Sequence, residues 1–204
     1  IVNGAIIGRI QGPAYLLLGG ERVALNFLQR LCGIATYTRG LVEAVEGTGV
    51  GILDTRKTTP GLRLLEKYAV RVGGGASHRF GLYDGVLIKE NHVRAAGGIK
   101  QAVKRARSKV GHLHKIEVEI SNMQELEEAL QVGVEVVLLD NMTPEDVRKS
   151  IARVQGRAVV EVSGGIDSQN IREYAISGVD FISIGALTHS VRAADISLEL
   201  EINC

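Results

Sequence analysis

The apolar positions of this chain change period part-way along it. Over residues 20–38, GERVALNFLQRLCGIATYT, Val23, Phe27, Leu28, Leu31 and Ile34 fall at helical spacing, which gathers them on one face of an amphipathic helix. Beyond residue 50 short runs rich in Val and Ile take over: VGILD (50–54), YAVRVGG (68–74), GVLIK (85–89), KIEVEI (115–120), EVVLLD (135–140), AVVEVS (158–163) and DFISIG (180–185). Between the last four, SNMQELEEALQVG, TPEDVRKSIARVQG and SQNIREYAISG each start with a capping-type Ser, Thr or Asn, or a Pro in the first turn, and close on Gly. The pattern is βα repetition with a period of about 20 to 23 residues.

Strands that are apolar on both faces and joined by crossover helices make a parallel sheet covered by helices. Seven of them in strict alternation favour a TIM-like α/β barrel, closed or incomplete, over a doubly wound sheet. Both architectures bind ligands at the carboxyl ends of the strands. Residues 1–19, IVNGAIIGRIQGPAYLLLG, lie outside the repeat and read as one or two β-type runs broken by Gly and Pro. No Met precedes them, so the expectation is a sequence that starts inside a domain whose first part is absent.

At 204 residues, 45% hydrophobic and 23% charged, the chain has the balance of a soluble domain with a full core. No apolar run approaches the ~18 residues that cross a bilayer, and no secretory leader is visible, so no membrane is expected. Cys32 and Cys204 form neither a disulfide framework nor a metal-ligand spacing, which fits a reducing, cytoplasmic setting. A net charge of +1 and 4% aromatics argue against nucleic acid as a partner. The charge is unevenly spread. Residues 54–94 carry eight Lys and Arg against four acids, an excess of +4 that leaves −3 for the rest of the chain. Within that stretch Arg56, Lys57, Arg79 and Lys89 stand at strand ends, while Arg63, Lys67, Arg71 and Arg94 read as helix or surface charges.

The strand ends deliver Thr55-Arg56-Lys57, His78-Arg79, Lys89, Glu119, Asp140, Ser163-Gly164-Gly165 and Gly185 to one barrel mouth. Arg56 and Arg79 offer planar forks matched to carboxylate or phosphate, Lys57 and Lys89 compact charges, and His78 a group that donates a hydrogen bond or carries charge near neutral pH. Several cations in one mouth repel each other unless an anion is bound, so the ligand should be multiply anionic. Glu119 and Asp140, opposite this basic wall, suit Mg²⁺, ribose hydroxyls or a developing positive charge, with plain pairing to Lys89 or Arg79 as the alternative. Ser163-Gly164-Gly165, leading into a helix, and Gly185-Ala186-Leu187-Thr188 have the form of a phosphate cradle after the last two strands, with His189 in reach. His112 and His114 receive no role.

With these residues in place, the chain resembles the quinolinate phosphoribosyltransferase family from about Gly12 to Leu198. The motifs that carry the likeness are ERVALNFLQRLCGIAT, DTRKTTPGLRLLEKYAV, GGGASHRFGLYDGVLIKENH, KIEVE, VLLDNM, EVSGGI and GVDFISIGALTHS. Cys32 stands where the family frequently has Ser. The resemblance implies an N-terminal open-sandwich domain, of which residues 1–19 would be the end, then an incomplete barrel of about seven strands over 20–190, and a segment, 191–204, packing back toward the N-terminal domain. It also implies phosphoribosyl transfer from phosphoribosyl pyrophosphate to quinolinate with decarboxylation, giving nicotinate mononucleotide, pyrophosphate and CO₂ in NAD biosynthesis, with Mg²⁺.

Carried over by motif, Arg56, His78 and Arg79, with Thr55 beside them, would bind quinolinate. Lys57 and Lys89 would contact the pyrophosphate or the reacting sugar, and Glu119 and Asp140 the ribose hydroxyls and the metal. Ser163, Gly164, Gly165, Gly185 and His189 would bind the 5′-phosphate. Arg22 would reach into the site of a partner subunit, making a homodimer with shared sites, with higher assembly left open. Loss of CO₂ needs no dedicated base once the pyridine nitrogen is quaternised, so none is nominated. A barrel phosphoribosyltransferase acting on nicotinate, a molybdenum-associated paralogue and a non-catalytic phosphate sensor remain as rivals.

Overall fold

The computed structural model describes residues 2–201. Helix α1 (Ala14–Ala44) begins directly after Pro13, whose fixed φ suits a helix entry, so AYLLLG is helical where the sequence suggested β-type chain. Residues 5–12 carry no assigned strand either. The α1 periodicity is real, but only its second half, through Ile34 and Leu41, joins the main core cluster; Leu25 is buried apart from it, and Val23, Phe27 and Leu28 are exposed.

Thereafter come β1 (Gly51–Leu53), α2 (Arg63–Val72), β2 (Val86–Ile88), α3 (Glu90–Ala96), α4 (Ile99–Arg107), β3 (Ile116–Ile120), α5 (Met123–Gln131), β4 (Val136–Asp140), α6 (Pro144–Val154), β5 (Val159–Ser163), α7 (Ile171–Tyr174), β6 (Phe181–Ser183) and α8 (Ala186–His189). The capping signals hold at two starts: Asn122 accepts from Glu125 N and Thr143 from Asp146 N, with Pro144 opening α6. The run YAVRVGG is not a strand. Read together with RLLEK before it, Glu66, Lys67, Ala69 and Val70 fall on one helical face and are buried, and the stretch forms α2 and its end. All that remains of a strand there is a single parallel bridge from Ala76 to Leu53.

Six parallel strands form one sheet in the order β1-β6-β5-β4-β3-β2. Since β6 returns to lie beside β1, the chain order is wound round in the TIM-like manner, with the Ala76 bridge on the other edge of β1. The register sorts side chains by parity. Ile52, Ile88, Ile116, Val118, Ile120, Val137, Leu139, Val160, Val162 and Ile182 face the helices and build the core. The alternate positions, Leu87, Glu117, Glu119, Leu138, Asp140, Glu161, Ser163, Phe181 and Ser183, share the other face. The site is built there.

After α8 the chain runs without helix or strand along α1, where Ala194 N donates to Gln29 O (2.9 Å) and Gln29 Nε2 to Ile196 O (2.8 Å). Residues 202–204, Cys204 among them, lie outside the described residues.

Candidate active site at the carboxyl ends of the strands

Two buried ion clusters fix the loops before any ligand arrives. Asp54, fully buried at the end of β1, is held by Lys67 of α2 and accepts from His78 N (2.9 Å) and Ser77 Oγ (3.1 Å). Lys67 Nζ also donates to His78 O (3.0 Å), so both backbone polar groups of His78 are taken. Lys67 is 2% exposed, which overturns its reading as a helix or surface charge. Burial pushes the Asp54 carboxyl above its ordinary value, against the pull of Lys67. In the second cluster Arg30 of α1 donates to Glu66 Oε1 (2.7 and 2.9 Å), Thr59 Oγ1 (2.7 Å) and Thr188 O (3.0 Å). Thr188 Oγ1 in turn donates to Lys57 O (2.8 Å). Arg63 is a brace too, donating to Phe80 O (3.0 Å), Arg56 O (3.3 Å) and Thr58 Oγ1 (3.0 Å).

The strand ends meet as the spacing suggests, with changes of detail. A side chain at Gly185 would put its Cβ 2.9 Å from Lys57 Cδ and 3.0 Å from His189 Cδ2, so a glycine there lets Lys57 and His189 lie over the loop. Lys89 Nζ donates to Glu119 Oε2 (2.5 Å), the pairing left open by the sequence. Asp140 accepts from the Asn141 amide (2.6 Å), and Asn141 takes a positive φ of 55°. Gly164 has φ 100°, and a Cβ there would fall 2.3 Å from Asn141 Oδ1, so that position is closed to a side chain by both conformation and space, while Gly165, at φ 62°, is restricted by conformation alone. The turn does not run straight into a helix. Residues 166–170 intervene, and α7 and α8 have four residues each, so any anion cradle here rests on backbone amides rather than on a helix dipole. Arg22 stands on the exposed half of α1, its side chain 70% exposed, with a loose 3.9 Å pairing to Glu21.

His78 and Arg79 enter the inner face from the loop after Ala76. Arg79 Nη1 donates to Gly85 O (3.1 Å). Burial, and then the charge of Arg56, lower its pKa, the signature of two guanidinium groups near each other in a partly dry site. The His78 ring turns inward: Nε2 lies 3.0 Å from Glu117 Oε2 and 3.6 Å from Glu161 Oε2, and Nδ1 accepts from Arg79 N (2.7 Å). Since Nδ1 accepts, the ring proton is assigned to Nε2. Burial works against charge on the ring, but Glu117 and Glu161 outweigh it and lift the His78 pKa, while the Arg79 N–H opposes a second ring proton.

Glu117 and Glu161 are the site residues the motif reading missed. Their signal was legible: an acid inside the apolar runs KIEVEI and AVVEVS, at the same parity as Glu119 and Ser163. Both are buried, and among the described residues each leaves Oε1 without a hydrogen-bond partner. Burial, then the charge of Glu117, push the Glu161 carboxyl up to about 7. Folded Glu161 therefore keeps its proton to higher pH than the ordinary 4.5 of the unfolded chain, and stability falls as pH rises from about 4.5 to 7. Glu161→Gln should flatten that slope, leaving the variant roughly 2 to 3 kcal/mol better off relative to the parent at pH 8 than at pH 5. Urea denaturation at the two pH values measures the difference, and equal shifts at both would show that Glu161 titrates normally.

Residues 34–199 match the family described as quinolinate phosphoribosyl transferase, C-terminal domain. The chain belongs to the quinolinate phosphoribosyltransferase family. Among relatives, it is 49% identical over 201 residues to the probable nicotinate-nucleotide pyrophosphorylase (carboxylating) of Bacillus subtilis strain 168, covering 98% of this chain and 70% of that protein. It is 45% identical over 205 residues to the human nicotinate-nucleotide pyrophosphorylase (carboxylating), covering 98% and 69%. The crystal structure of the family member from Ehrlichia chaffeensis superposes with a TM-score of 0.89 at 47% identity, over 92% of this chain and 68% of that one. A Pyrococcus furiosus structure at 19% identity and TM-score 0.70 shares the fold. The chain thus spans about 70% of the length of the two relatives and 68% of the Ehrlichia chain.

Proposed function

We propose that this protein transfers the phosphoribosyl group of phosphoribosyl pyrophosphate to quinolinate and releases CO₂, forming nicotinate mononucleotide and pyrophosphate in NAD biosynthesis. The observation that carries the reading is the placement of Arg56 beside Arg79, near enough that its charge adds to burial in lowering the Arg79 pKa, with Glu117 and Asp84 pulling the other way. Two forked cations gain most from a ligand with two adjacent carboxylates, which nicotinate lacks. Relatives over nearly the whole chain carry the name nicotinate-nucleotide pyrophosphorylase (carboxylating).

In this reading Arg56 and Arg79, with Thr55 beside them and His78 holding the Arg79 backbone, receive the quinolinate carboxylates and aim the ring nitrogen at the anomeric carbon. The backbone of Ser163, Gly164, Gly165 and Gly185, with His189, takes the 5′-phosphate. Lys57 and Lys89 neutralise the departing pyrophosphate, and Glu119 and Asp140 hold the ribose hydroxyls and face the positive charge that develops on the sugar. Glu119 and Asp140 also fit Mg²⁺, which takes one or two protein carboxylates plus substrate phosphates and would supply further charge neutralisation on the leaving group. The positive pyridinium nitrogen then stabilises the electron pair left on the adjacent carbon as CO₂ departs, and a proton from solvent takes the place of the lost carboxylate. We read the architecture as an incomplete seven-stranded barrel, counting the Ala76 bridge, carrying the end of an N-terminal sandwich domain. We further read Arg22 as reaching a partner's site in a homodimer, and the setting as cytoplasmic; no described helix is long and apolar enough to cross a membrane.

Supplied with quinolinate, phosphoribosyl pyrophosphate and Mg²⁺, the protein should release CO₂ and nicotinate mononucleotide in equal amounts. Turnover of nicotinate in place of quinolinate would overturn the proposal.

A further inference from the structure

His78 is occupied on every side by protein. Asp54 and Lys67 hold its backbone N–H and C=O, and its two ring nitrogens are engaged by Glu117 and by the amide of Arg79. No ring nitrogen is left for a ligand unless one of these bonds breaks. Yet the next residue carries a guanidinium of the cationic pair. The ring is thus one link in a chain, Glu117 Oε2 to His78 Nε2 (3.0 Å), then His78 Nδ1 to Arg79 N (2.7 Å), that ties the inner face of β3 to the backbone of Arg79.

Glu117 is an expensive residue to place there. It is 6% exposed in a strand otherwise apolar but for Glu119, and its Oε1 has no hydrogen-bond partner, a state that costs stability. A leucine would suit the core better. Besides its contact with the Glu161 carboxyl on the same inner face, its side-chain hydrogen bond among the described residues goes to His78, and what that bond fixes is the reason for an acid at this position. Glu161, at 3.6 Å from Nε2, is beyond hydrogen-bond distance and confines the ring without orienting it.

We infer that Glu117 is a specificity-determining positioning residue: through the His78 ring it fixes the backbone of Arg79, and so the placement of the guanidinium that tells a pyridine dicarboxylate from a monocarboxylate. The inference rests on the quinolinate reading above. A one-residue tie of this kind matters because a displacement near 1 Å at a binding group is enough to lose recognition. Once Glu117 is replaced, His78 is free to adopt its other tautomer, in which Nδ1 carries the proton and can no longer accept from Arg79 N.

The experiment compares Glu117→Leu, Glu117→Gln and Glu161→Gln, using calorimetric binding of quinolinate and nicotinate and the ¹⁵N spectrum of the His78 ring. Glu117→Leu should weaken quinolinate about tenfold to a hundredfold and leave nicotinate nearly unchanged, so that the preference between them shrinks. Glu117→Gln keeps an acceptor and should recover most of the loss, and Glu161→Gln should move the preference least. At alkaline pH, where the ring is neutral, the parent should report the Nε2–H tautomer, and Glu117→Leu a mixture. A folded Glu117→Leu protein with an unchanged preference overturns the inference, as does an Nδ1–H ring in the parent or a larger loss at Glu161 than at Glu117. A parent that binds no quinolinate refutes the proposed activity instead, and the ring spectrum still decides whether Glu117 sets the tautomer.

Discussion

Arg79→Ala should raise the quinolinate concentration for half-saturation by about a hundredfold while changing that for phosphoribosyl pyrophosphate by no more than about threefold. The asymmetry follows from where the cations stand. Arg79 is anchored to Gly85 O and lies near Arg56, whereas Lys57 and His189 lie over the Gly185 loop. Removing one fork of two deletes a charge-assisted, bidentate contact to a carboxylate and leaves the phosphate half of the mouth as it was. Steady-state kinetics with each substrate varied in turn measures both constants. Equal losses for the two substrates would show that the division of the mouth into carboxylate and phosphate halves is wrong.

Lys67→Met should lower the unfolding free energy by about 3 to 5 kcal/mol, the usual penalty for leaving a buried charge without its partner. Asp54 is fully buried, and burial already raises its pKa, so without Lys67 it either stays charged at high cost or takes a proton and loses its charge-assisted bond to the His78 amide. Methionine fills the volume, so little of the loss comes from a cavity. Urea denaturation gives the number, and combining Lys67→Met with Asp54→Asn should return part of it. A loss under about 1 kcal/mol would mean that the pair is no more than a surface-grade ion pair.

The sequence made the parallel α/β pattern legible because strands buried on both faces are rich in Val and Ile, and β3, β4 and β5 are, even with acids at inner-face positions of β3 and β5. It misled where a run was short and mixed. YAVRVGG has the apolar content of a strand, but the three-and-four spacing of Glu66, Lys67, Ala69 and Val70 makes it the end of a helix, and that spacing includes two charged residues a hydrophobic reading discounts. The same discounting hid the site's framework. Lys67, Glu66 and Arg30 look like solvent charges one at a time, and only tertiary structure brings Asp54 to one and Thr59 and Thr188 to another. Residues at strand ends are legible from position alone, whereas Glu117 and Glu161, one step deeper on the same face, show only as acids inside strands buried on both faces.

The strut from Arg30 through Thr188 to Lys57 has a mechanical consequence. The β1–α2 loop, with Thr59 and Lys57, and the turn after β6 hang from the same guanidinium and hydroxyl, so neither can shift without loading the other. The two halves of the mouth are therefore not independent springs. A ligand that stiffens one lowers the entropy still to be lost by the other, and linkage makes the effect mutual, so either substrate can prepare the ground for its companion without touching it.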